Sequence, residues 1–224
     1  MIERVLRSLL LLSAAGACAA VAWVVVELWR TVDDPYWLVQ TWVDAVVDAG
    51  AQAEAIDPND PLLRQRMIVV TSSINERTSA HVIPRLHYLA RLDPRAPIDL
   101  IVSTTGGWRD SAFAIIDTMR AIPAPVNTWA LGGCYSAGAL IVAGGTGTRS
   151  ATPDALLMVH ANLEDSDEPF AEEPRELERE EHFWKEHARL PDDWALDSDT
   201  SYYLTADEAK QYGIVDVVRE HAPR

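Results

Sequence analysis

A serine, a histidine and two glycine turns stand in an order that suits acyl transfer. The segment LGGCYSAGALIVAGG surrounds Ser136 with Gly132, Gly133 and Gly138. Such a composition lets a strand ending at Leu131 turn tightly into a helix beginning at Ser136. A serine on that turn exposes its hydroxyl, and the first N–H groups of the helix are free to stabilise negative charge. The pattern is not the G-x-S-x-G of α/β hydrolases. Taken alone, it fits a glycine-rich helix start as well as a nucleophile. The second pair, Gly106 and Gly107 in STTGGW, follows a strand pattern, a suitable place for a backbone N–H that faces a developing oxyanion. His160 closes the run LLMVH and serves either as a general base or as a structural residue at a strand end.

These residues need elements to hold them. The apolar run MIVV after Arg66 predicts a short strand, and residues 76–92 have the spacing of a helix. IDLIVST at 98–104 predicts a second strand, 110–120 a helix, VNTWAL at 126–131 a strand, and LLMVH at 156–160 another. Alternating β and α elements imply a layered α/β fold with a mainly parallel sheet. The compact domain is expected over 64–224. Within it, 163–190 is a strongly acidic insert with helix-forming composition, Pro174 near the helix start and Leu177, Phe183 and Trp184 among its apolar positions. Its charge run from Glu164 to Glu181 reads as a solvated excursion.

Composition narrows the function. The chain has 34 acidic and 19 basic side chains, a net charge of −15, which argues against nucleic acid as a partner. At 48% hydrophobic residues it can bury a core and is not a disordered chain. Its two cysteines, Cys18 and Cys134, exclude a disulfide framework or a cysteine-rich zinc site. Only Lys185 and Lys210 are lysines, which limits any lysine-based mechanism.

The N-terminus reads differently from the rest. From Leu9 to Val26 the chain runs 18 residues without a charge, about 27 Å as a helix and enough to cross a hydrocarbon core. Arg4 and Arg7 precede this run, and Glu27, Asp33 and Asp34 follow it, so the positive-inside bias puts 1–8 in the cytoplasm as a short tail. The expectation is a transmembrane helix at 9–26, then a juxtamembrane amphipathic linker over 27–63 with the turn-rich IDPNDP. A cleaved signal peptide is the rival, since Ala17-Cys18-Ala19 and Ala20-Val21-Ala22 offer small residues. Either way the domain would lie across the membrane.

Several pieces, in order, resemble the ClpP-like serine peptidases: RMIVVTSSIN, IDLIVSTTGG, AIIDTMRAIPAPVNTWALG, GCYSAGALIVAGG, TRSATPDALLMVHAN and YYLTADEAKQYGIVDVV. The resemblance covers about residues 64–218, and the intervals from Gly107 to Ser136 and from Ser136 to His160 are similar to the family's. It implies the ClpP/crotonase-like layered β-β-α superhelix and endopeptidase activity. Ser136 would be the nucleophile and His160 its base, with Gly107 and Ala137 supplying the oxyanion-hole N–H groups. Asp197 would complete the triad, with Asp199 as the fallback and Asp192 and Asp193 behind them. Such a mechanism requires no metal and no cofactor. The resemblance also implies peptide or unfolded protein substrates and homo-oligomers, and leaves an unfoldase partner open. Where the family has a glycine-rich strand and a long handle helix, this chain has the acidic insert, which puts face-to-face joining of rings in question.

Other chemistries compete. A membrane-anchored Ser-Lys peptidase needs a lysine in the site, and neither Lys185 nor Lys210 matches one. Cys134, two residues before the serine, is a second possible nucleophile or a small buried hydrophobe. Crotonase-type acyl-CoA chemistry shares the fold. From another class comes a catalytically silent membrane scaffold, because Tyr135 crowds the nucleophile and the insert alters the acid's surroundings.

Overall fold

The computed structural model describes residues 56–160, 174–191, 194 and 200–223. A short helix α1 (Pro61–Arg64) leads into strand β1 (Met67–Val70) and helix α2 (Glu76–Leu92). Strand β2 (Ile98–Thr104), helix α3 (Arg109–Ala121), strand β3 (Val126–Tyr135) and helix α4 (Ala137–Ala143) follow. Then come β4 (Arg149–Ala151), β5 (Leu156–Val159), α5 (Pro174–His187), β6 (Tyr202–Thr205), α6 (Ala206–Gln211) and β7 (Val217–Val218).

The sheet runs β1-β2-β3-β4-β7, with every pair along that path parallel. β5 pairs in parallel with the far end of β3, and β6 pairs antiparallel with β5. The edge of β3 away from β2 therefore serves two neighbours. Its residues Thr128–Ala130 face β4, and its residues Gly133–Tyr135 face β5. Between the two sits Gly132 with φ +56°, a left-handed conformation that costs glycine little and bends the strand from one neighbour to the other. The sequence reading ended this strand at Leu131 because Gly132 and Gly133 look like a stop. In the fold they are a bend, and the strand continues to the residue before Ser136.

Both faces of the α/β order are legible in burial. Along β2, Ile98, Leu100, Val102 and Thr104 are buried while Asp99, Ile101 and Ser103 are partly exposed. Against the buried side pack Leu86 and Leu89 of α2, Ile115, Ile116 and Met119 of α3, and Leu140 and Ile141 of α4. Each such fully buried side chain stabilises the fold by about 1.5–3 kcal/mol relative to exposure. Local chemistry fixes the helix ends. The Asn75 side chain accepts the Thr78 N–H at 3.1 Å to start α2. The Arg66 guanidinium donates to the carbonyls of Leu89, Asp93, Ala96 and Pro97 and holds its C-terminal end. Thr205 and Glu208 form a reciprocal capping box on α6.

Two expectations change. Leu63, assigned to the linker, is buried in the core, and Ile56 packs against it, so core packing begins upstream of residue 64. The acidic insert is not a solvated excursion along its helix. α5 buries Phe183 and Trp184 in the core and Glu180 beside them. Charged residues outnumber apolar ones in PRELEREEHFWKEH, yet the side that carries Phe183 and Trp184 is docked.

The described residues belong to one compact unit, Ala53–Arg224. Among the described residues no helix is long and apolar enough to cross a membrane. The expected membrane helix at 9–26 and most of the linker lie outside them, as do Asp192, Asp193, Asp197 and Asp199.

Candidate active site

Ser136 sits between the end of β3 and the start of α4 with φ 54° and ψ −121°. A left-handed φ on a non-glycine residue costs on the order of 1–3 kcal/mol and persists only where the surroundings enforce it. Here they do. The Ser136 N–H donates to the Met158 carbonyl at 2.8 Å, which ties the serine to β5, and its own carbonyl accepts from Ala139 and Leu140. Gly138 lets the helix start close on β2, since a Cβ there would meet the Thr104 methyl at 2.5 Å.

β5 delivers the histidine. His160 directly follows the strand, two residues beyond Met158, and is 8% exposed. Its Nε2 lies 2.7 Å from Ser136 Oγ. With the imidazole proton on Nδ1, Nε2 accepts the serine hydroxyl proton, the geometry a general base requires.

The second glycine pair packs onto the first motif. A Cβ on Gly106 would lie 2.8 Å from Ser136 Cβ and 2.9 Å from the Tyr135 carbonyl, so only glycine permits this approach. The turn is pinned by Ile74 N–H to the Gly106 carbonyl at 2.8 Å and Trp108 N–H to the Ile74 carbonyl at 2.7 Å. In this parallel bridge the Gly107 N–H points away from Ile74. Thr104 adds a brace, its hydroxyl donating to the Ser72 carbonyl at 2.8 Å and accepting the Gly106 N–H at 3.1 Å. The sequence reading missed this residue. A threonine two residues before a glycine turn was the available signal.

Of the residues expected in the site, Ser136 and His160 are in hydrogen-bond contact, and the glycine turn lies against the serine. Ala137, the first residue of α4, is fully buried next to it. Cys134 is also fully buried, and burial pushes its thiol far above its ordinary pKa, which disfavours the reactive thiolate. The group bonded to the serine hydroxyl is a histidine and not a lysine: Lys185 pairs with Glu181 on α5, and Lys210 lies in α6. Aromatic residues adjoin the serine and the glycine turn along the chain. Tyr135 meets Tyr203 edge to face at 5.9 Å, while Trp108, beside Gly107, and Tyr203 are both largely exposed.

The sequence pattern of the Clp protease family matches residues 50–222. The chain belongs to the Clp protease family. The mixed α/β architecture with a mostly parallel central sheet fits it, and membership makes the chain a serine-type endopeptidase. Among its relatives, proteolytic subunit 2 of the ATP-dependent Clp protease of Corynebacterium jeikeium is 30% identical over 179 residues, 75% of this chain and 86% of the relative. Subunit 3 from Streptomyces coelicolor is 34% identical over 171 residues, 71% of this chain and 77% of the relative. The proteolytic subunit from Dehalococcoides mccartyi is 34% identical over 188 residues, 79% of this chain and 93% of the relative.

Proposed function

We propose that this Clp protease family member cleaves peptide bonds through Ser136, with His160 as general base and the N–H groups of Gly107 and Ala137 as the oxyanion hole. The observation that carries this reading is the 2.7 Å contact between His160 Nε2 and Ser136 Oγ. His160 takes the hydroxyl proton as Ser136 attacks the carbonyl, and the proton then passes to the leaving amine. Gly107 and Ala137 N–H groups stabilise the tetrahedral oxyanion, and water hydrolyses the acyl-enzyme. Asp197 is the proposed third member, holding His160 in the tautomer with Nε2 free and stabilising the imidazolium. The decisive experiment is labelling with a fluorophosphonate probe. Wild type is expected to label, Ser136→Ala and His160→Ala to lose the label, and Asp197→Ala to label far more slowly. Unchanged labelling of Asp197→Ala would move the acid's role to Asp199. No labelling of folded wild type would leave the silent-scaffold reading in its place.

The substrates proposed are peptides and loosely folded protein segments. Exposed Trp108, beside Gly107, and exposed Tyr203, against Tyr135, offer their side chains aromatic surface. Self-association is part of the reading. Val69, Ile101 and Leu131 remain partly exposed on the second face of a parallel sheet, a face that is normally covered, and a second copy of the chain would cover it. The relatives carry ATP-dependent names, whereas this chain is proposed to work next to a membrane, anchored by residues 9–26 with its domain on the extracytoplasmic side. Alkaline carbonate extraction of membranes tests the anchor. The full chain is expected in the pellet and a chain lacking residues 9–26 in the supernatant; release of the full chain would refute the anchor.

A further inference from the structure

The Gly106–Gly107 turn has no side chains with which to hold itself in place. On one side the Ile74 ladder fixes it. On the other side helix α3 begins at Arg109, and Trp108 at its N-cap makes no side-chain capping bond. An uncapped helix start is easily displaced. Beyond the Trp108 N–H bond to the Ile74 carbonyl, α5 adds a hold on this end. Glu180, only 4% exposed, forms an ion pair with Arg109, its Oε2 2.6 Å from Nε, and its Oε1 accepts the Trp184 Nε1 proton at 3.2 Å. One turn along, Phe183 meets Phe113 of α3 edge to face at 5.7 Å. The exposed Arg179 pairs with Asp110 and lies over the Phe113 ring.

We propose that Glu180 is a positioning residue for catalysis, acting through Arg109 to hold the Gly107 N–H at the oxyanion. This rests on the reading of Gly107 as an oxyanion donor. A buried carboxylate with one oxygen against a guanidinium and the other hydrogen-bonded to an indole is closely constrained, because moving it away from Arg109 leaves a buried charge unpaired. Its partner Arg109 is two residues from Gly107, so a shift of the helix start is a shift of the donor. Misplacement by about 1 Å costs roughly a hundredfold in rate. The acidic insert thus supplies a contact that orders the site, where its sequence showed a charged helix with a few apolar positions.

The test uses the purified full chain in detergent, a fluorogenic leucine-terminated dipeptide amide and the matching peptide aldehyde, whose adduct places an oxyanion in the hole. Glu180→Gln keeps the size and the bond from Trp184 but removes the charge facing Arg109. Its kcat is expected to fall about ten- to a hundredfold with KM unchanged. The aldehyde's inhibition constant should rise by the same factor as kcat/KM falls, because both report binding of the tetrahedral state. Arg179→Gln, which breaks the exposed pair between the same two helices, is expected to behave as wild type in all three quantities. A folded Glu180→Gln with wild-type kcat and aldehyde affinity would overturn the proposal and reduce the pair to a structural contact. So would a loss carried by KM alone. If Glu180→Gln does not fold, Arg109→Lys decides by the same comparison, since lysine keeps the charge and lacks the planar fork. Wild type that neither labels nor cleaves would overturn the proposed function itself, and this inference with it.

Discussion

His160→Ala is expected to lower kcat by about 10⁴- to 10⁶-fold while the protein stays folded. The imidazole sits 2.7 Å from the serine oxygen and follows directly from a strand whose Met158 carbonyl accepts the serine's own N–H. One strand therefore holds both the backbone of the proposed nucleophile and its proposed base, and among the described residues the hydrogen bond at Ser136 Oγ is the one to His160. Without His160 the serine keeps its strained turn but attacks as a neutral hydroxyl. Double substitution makes the test sharp. Ser136→Ala combined with His160→Ala should be no slower than either single variant, because residues acting as one unit lose their whole effect once. Additive losses would mean that the two groups serve separate purposes and that the short contact is structural. Circular dichroism and urea denaturation establish that each variant is folded.

Much of this arrangement could be read from the chain before any coordinates. The strands at 67–70 and 98–104 and the helix at 76–92 fall where the sequence placed them, the first as a short apolar run and the others by their spacing and a clear cap or break. The glycine pairs were legible as turns, and the serine as a residue at a strand-to-helix junction. β4, only three residues long, and β7, only two, left no periodic signal; they exist because β3 and then β4 offer an edge to pair with. The role of α5 was hidden for another reason. Its Glu180 looks like any acid in a charged run until Arg109, far away in sequence, is brought against it. Thr104 was missed likewise, since its brace depends on the Ser72 carbonyl of another strand end. Local sequence specifies turns and periods, whereas a buried ion pair is specified by the fold.

Gly107→Ala is the second large effect, and it separates catalysis from stability. Gly107 has φ +142°, and a Cβ there would lie 2.1 Å from the Ile74 carbonyl oxygen, a backbone atom that cannot swing aside. The turn must move, and the N–H moves with it. Loss of one oxyanion donor typically lowers kcat about 10²- to 10³-fold, and the forced backbone adds on the order of 1–3 kcal/mol of destabilisation. KM should change little, because the donor acts on charge that develops in the transition state. Gly132→Ala is the matched control. It too has a positive φ, +56°, but its nearest neighbour is the Ser103 hydroxyl at 3.5 Å, so the methyl group fits. Its cost should be about 1–2 kcal/mol of stability from the left-handed backbone, with kcat close to wild type. If both variants lose activity in proportion to their loss of stability, the Gly107 N–H has no special part in the chemistry. If Gly107→Ala alone loses kcat beyond its share of unfolding, the donor is in the reaction, and the contacts that fix this turn, from Ile74 on one side and Arg109 on the other, become part of the catalytic apparatus.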